Sequence, residues 1–63
     1  MSEITETLHN ISEQLVDAIY DAEKFEAGNN SAGTRVRKAM QNIKNLAQNV
    51  RLEVQEQKNS VTA

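Results

Sequence analysis

The chain is predicted to be all-α: an antiparallel helical hairpin of coiled-coil type that dimerises into a four-helix bundle. Three observations carry that prediction. Apolar residues recur at an unbroken 4-3 spacing in each half of the chain, a Gly/Asn-rich break separates the halves, and proline is absent throughout. The first seam runs Ile4, Leu8, Ile11, Leu15, Ala18, Ala22 and Phe25. The second runs Val36, Met40, Ile43, Ala47, Val50 and Val54. A sustained heptad pattern of this kind marks the stripe along which one helix packs on another.

Helix 1 is expected over about residues 3–27. Ser2 is a candidate N-cap, and Glu3 and Glu6 stand in the first turn, where the helix dipole favours negative charge. Gly28 sits at the C′ position, which favours a left-handed residue. The loop is placed at about 28–31, with Asn30 or Ser31 capping the next helix. Ala32 and Gly33 are small enough to let that helix approach the first closely. Helix 2 is expected over about 32–58, followed by a small, polar tail at 59–63 that frays. Helices of about 25 residues are roughly 38 Å long, and so short a loop makes them antiparallel neighbours within a single domain, residues 1–63.

A chain of 63 residues buries little surface by itself, and natural proteins of this size add disulfides, metals or further copies. There is no cysteine and only one histidine, His9, so a thiolate or zinc staple is not expected. Oligomerisation remains. Val16, Ile19, Tyr20, Leu46 and Leu52 fall outside the two seams or along their flanks, as does Ala39. The first five are the candidate oligomer interface, as a dimer or a tetramer. No apolar run reaches the length of a membrane span and no leader-like start is seen, so no membrane partner is expected.

The net charge of −2 conceals an asymmetry. Residues 1–31 carry seven acids and one base, Lys24; residues 32–63 carry six bases and two acids. With Val36 at a heptad d position, Arg37, Lys44, Arg51 and Lys58 all fall at e and make one stripe down helix 2. Arg35 and Lys38 add charge near its start. Two readings of the stripe stand side by side. Charged e positions often pair with a neighbouring helix, and Glu26 is placed to meet Arg37 near the loop. Cations about 10 Å apart along a helix also suit the phosphates of a nucleic-acid backbone. With no aromatic stacking platform and no recognition-helix pattern, such binding would be independent of base sequence.

Nothing in the chain reads as a catalytic site. Ser31 and Thr34 lack a base to activate them, pairs such as Glu23 and Glu26 suit a solvated helix face, and His9 is expected to be exposed. Phosphate loops, dinucleotide fingerprints and calcium loops are absent. The expectation is a non-enzyme with no cofactor, no metal and no small-molecule substrate.

The stretch from Lys24 to Ala39, with Gly28-Asn29, Ala32-Gly33-Thr34-Arg35 and Arg37-Lys38 recurring together, continues through Ile43 to Gln48 and on to Val50-Arg51. It resembles the bacterial linker-histone-like (histone H-one-like) nucleoid proteins, as a short member without their Lys/Ala-rich tail. The resemblance covers residues 24–51. It implies a cytoplasmic, nucleoid-associated protein that binds double-stranded DNA non-specifically through Lys24, Arg35, Arg37, Lys38, Lys44 and Arg51. Residues 1–23 depart from a DNA-binding pattern, with no Lys or Arg and several acids. That departure keeps a second expectation in view: a protein-interaction or assembly module, or a partner for a more basic homologue.

Overall fold

The computed structural model describes the backbone of residues 3–62 and the side chains of residues 3–59. Two α-helices, α1 (Glu3–Glu26) and α2 (Asn30–Thr62), pack against each other as a hairpin. The hairpin is one layer thick, with principal extents of 54 × 18 × 11 Å. The expected N-cap Ser2 lies outside the described residues. Helix α2 starts two residues earlier than expected and continues through Thr62, taking in most of the stretch expected to fray. No helix among the described residues is long and apolar enough to cross a membrane.

The turn is built from backbone chemistry that the local sequence supplies. Gly28 has φ +110°, a conformation costly for any residue with a Cβ. The Asn29 N–H reaches back to the Lys24 carbonyl (3.0 Å) and the Gly28 N–H to the Phe25 carbonyl (3.0 Å). This crossed pair is a Schellman motif, which satisfies carbonyls otherwise left open at the end of α1. Asn29 then caps α2: both its backbone carbonyl and its side-chain Oδ1 accept from the Ala32 N–H, each at 3.2 Å. The cap is therefore Asn29 rather than Asn30 or Ser31, because the helix begins at Asn30 and a cap must reach the third residue within it.

Two polar links fix the register. Arg35 Nε donates to Asp21 Oδ1 at 2.9 Å, and Asn42 Nδ2 donates to Gln14 Oε1 at 2.6 Å. Seven residues down α1 thus match seven residues up α2. The same step sets Thr7 opposite Asn49, and these two residues line a shared groove with Ile4, Val50 and Glu53. Beyond Glu53, α2 overhangs the start of α1 by about nine residues, or roughly 14 Å.

The packed seam differs from the one predicted. On α1, Ile4, Thr7, Ile11, Gln14, Ala18, Asp21 and Ala22 turn inward, whereas Leu8 and Leu15 are exposed and Phe25, though half exposed, keeps its ring against α2 at Gly33. On α2 the inward residues are Ala32, Val36, Ala39, Ile43, Leu46, Val50 and Val54, and the expected seam residues Met40 and Ala47 are exposed. Ala39 and Leu46, expected on a flank, lie half-buried against α1. Both helices are rotated so that one side of the contact is polar and bonded. A straight α-helix drifts about 20° per heptad from a 3.5-residue repeat, so two nearly straight rods cannot both keep every seam residue inside.

Among the described residues only Ala18 and Ala32 are buried, and no large side chain is fully enclosed. Small residues at these positions let the helices come close. At Gly33 the approach is closest: an added Cβ would lie 2.5 Å from Phe25 Cδ1 and 2.6 Å from Cε1. The Phe25 ring therefore lies on the glycine face of α2, which explains a glycine inside a helix that would otherwise gain about 0.5–1 kcal/mol from alanine. Gly33→Ala is expected to lower the thermal midpoint in the native chain, where the ring blocks the methyl group, and to raise it in a Phe25→Ala background. Thermal melts followed by circular dichroism check the reversal; a rise in both backgrounds would refute the contact.

Candidate nucleic-acid interface

The cations of α2 divide according to the side of the helix they occupy. Arg37, Lys44 and Arg51 recur every seven residues and are exposed, so they form one row with steps of about 10 Å. Arg37, Lys38 and Lys44 share a shallow surface groove with Thr34, Val36, Met40 and Gln41. Arg37 also borders the adjoining groove of Phe25, Gly33 and Val36. Arg51 continues the row two turns on and donates from Nη1 to Gln48 Oε1 at 3.4 Å, one turn back along its own helix.

Arg35 belongs to the other side of α2. Its ion pair with Asp21 joins the two helices, and the side chains are 49% and 19% exposed. Lys24 stands in the last turn of α1, where a cation complements the partial negative charge of the helix end. Of the six predicted site residues, the structure brings Arg37, Lys38 and Lys44 into one patch and sets Arg51 on the same line. It commits Arg35 to holding the hairpin together, and it leaves Lys24 on the acidic helix.

The expected pair between Glu26 and Arg37 does not form. Among the described residues, Arg37, Lys38 and Lys44 make no ion pair or hydrogen bond. The register explains this: Asp21 already meets Arg35, so Arg37 lies further along α2 than Glu26 can follow. The acids of α1 therefore do not occupy the row within one chain. The residues of the candidate interface between copies stay largely outside the hairpin, with Val16, Ile19, Tyr20 and Leu52 all more than half exposed; Leu46 is half-buried against α1.

Sequence reasoning missed the bonded polar side of the seam. Its signal was present, since Asp21 and Arg35 lie seven residues either side of Gly28, and Gln14 and Asn42 fourteen. Complementary residues equidistant from a tight turn become neighbours in an antiparallel hairpin. Gln14 is further steadied by its donation from Nε2 to Asn10 Oδ1 at 2.9 Å.

A family model described as histone H1-like protein Hc1 matches residues 5–60. The chain belongs to the histone H1-like Hc1 family. The match takes in both helices, the acidic α1 and the basic α2. It extends the resemblance seen over residues 24–51 to most of the chain. No curated protein and no solved structure matches.

If Arg35 holds the hairpin of this Hc1-family chain together, Arg35→Glu lowers the urea midpoint and a compensating Asp21→Lys recovers most of the loss. The coupling in the double-mutant cycle is expected at about 0.2–1 kcal/mol, the range for exposed pairs. Strict additivity of the two changes would show that the pair contributes nothing.

Proposed function

We infer that the chain is a nucleoid-associated protein of the cytoplasm. It binds double-stranded DNA without sequence preference, as a dimer or tetramer in which hairpins close into a four-helix bundle. The observation that carries the reading is the exposed row Arg37, Lys44 and Arg51 with Lys38 beside it, unclaimed by the acids of α1 among the described residues. Membership of a histone H1-like family supports DNA as the polyanion. Cations on a rigid helix follow phosphates, and phosphate contacts carry no base information. Enzymatic chemistry has no part in this reading.

One observation favours a second reading. Helix α1 carries seven acids against a single lysine, and the whole chain is at −2. A protein-interaction or assembly module without nucleic-acid binding would have that balance, since net negative charge opposes the approach of DNA.

Fluorescence anisotropy with two duplexes of unrelated sequence separates the readings. The expected outcome is equal affinity for both, falling linearly on a log–log plot as salt rises. Replacing Arg37, Lys44 and Arg51 together by Ala is expected to weaken binding and to reduce the salt slope by about 2.7 per bound chain, or about 0.9 for each phosphate no longer neutralised. Arg35→Ala is expected to change the slope little. An absence of binding at about 50 mM salt, where even weak phosphate contacts persist, would favour the interaction module.

A further inference from the structure

The two sides of the helix–helix seam differ in chemistry. One is closed by the Arg35–Asp21 and Asn42–Gln14 links. The other carries large apolar side chains that nothing in the hairpin covers. Leu8 and Leu15 each follow an inward isoleucine, Ile4 or Ile11, by four positions, on the flank away from Gln14 and Asp21. They are 50% and 42% exposed, and Ile19, four positions beyond Leu15, is 59% exposed. Met40, at 42%, is four residues beyond the inward Val36 and faces away from Arg35 and Asn42. In an antiparallel pair these flanks of α1 and α2 fall on the same face. Together they make an apolar strip two helices wide, bordered by the row of Arg37, Lys44 and Arg51.

The area left open is what a second copy would need. A compact monomer of 7.0 kDa exposes about 4,000 Å², whereas this chain exposes 5006 Å². The excess is about 1,000 Å² per chain, or about 2,000 Å² for two, the upper end of the standard range for stable interfaces. The flank of α1 that carries the strip, Thr5, Leu8, Ser12, Leu15, Ile19 and Ala22, holds no acid, so an equally apolar face of a second copy covers it without burying a charge.

We propose that the strip of Leu8, Leu15, Ile19 and Met40 is the docking face for a second copy of the chain. This deepens the self-association in the proposed function and rests on it. It replaces the outward-pointing Val16, Tyr20 and Leu52 as the centre of the contact. It also leaves the basic row at the edge of the interface, where its outer side stays open to phosphates.

Sedimentation equilibrium of the full chain tests the assembly, and isotope-filtered NOE spectra of a mixed labelled and unlabelled sample test the face without any mutation. The expected result is an oligomer with intermolecular NOEs among the Leu8, Leu15, Ile19 and Met40 methyls. Leu15→Glu, which places a carboxylate in an apolar contact, is expected to weaken association about 100-fold. Tyr20→Glu, on the outward side, should change it less than about threefold. A folded single chain at every concentration would overturn the self-association itself. An oligomer whose NOEs come from Val16, Tyr20 and Leu52 would overturn the face while keeping the assembly.

Discussion

The shortage of interior governs this molecule. Two helices have a single surface of mutual contact, and among the described residues only two alanines are buried within it. Hydrophobic stabilisation scales with apolar area removed from water, and half-covered residues along one seam supply little. Everything else in the hairpin compensates for that thin contact. The glycine turn brings the helices together at one end, the Phe25 ring lies on Gly33, and two polar links close one side. The apolar residues left on the other side are what a thin core produces, since a chain that cannot cover them internally must leave them for another surface.

The polar links do more than add small energies. Sliding two heptad seams past one another by one heptad keeps apolar residues together, so hydrophobic packing by itself specifies register weakly. Asp21 with Arg35 and Gln14 with Asn42 match in one alignment, and displacement by one turn would break both. Their contribution is alignment, in the way a polar residue in a coiled-coil seam sets register at some cost in stability. That alignment has a consequence for the candidate interface. By drawing Arg35 to the bonded side, it removes one cation from the candidate set and leaves Arg37, Lys38 and Lys44 together on the outer surface of α2.

The division of charge between the helices has a similar double character. An acidic α1 beside a basic α2 attracts across the hairpin, yet the register permits a single ion pair between them among the described residues. Arg37 and Lys44 remain open because most acids of α1, from Glu3 to Asp21, fall on the bonded side of the hairpin, whereas the row lies on the opposite flank of α2. A family match that spans residues 5–60 treats both halves as one pattern. The match therefore includes the acidic helix as well as the basic helix that carries the candidate contacts.

Much of this was legible in the amino-acid sequence because it depends on local chemistry. Heptad spacing and the absence of proline determine two long helices, Gly28 determines where the first one stops, and a loop this short makes them antiparallel. The seven-residue recurrence of Arg37, Lys44 and Arg51 places them on one line whatever the helix packs against. Tertiary structure decided which flank of each helix faces in. Leu8, Leu15, Met40 and Ala47 satisfy the heptad as well as Thr7, Gln14, Ala39 and Leu46 satisfy the packing, and a spacing rule cannot rank them. The choice is set by rotation of one rod against the other, which small side chains at Ala18, Ala32 and Gly33 and the bonded pairs across the seam determine jointly. Those are interactions between residues distant in sequence, and they exist only once both helices are in place.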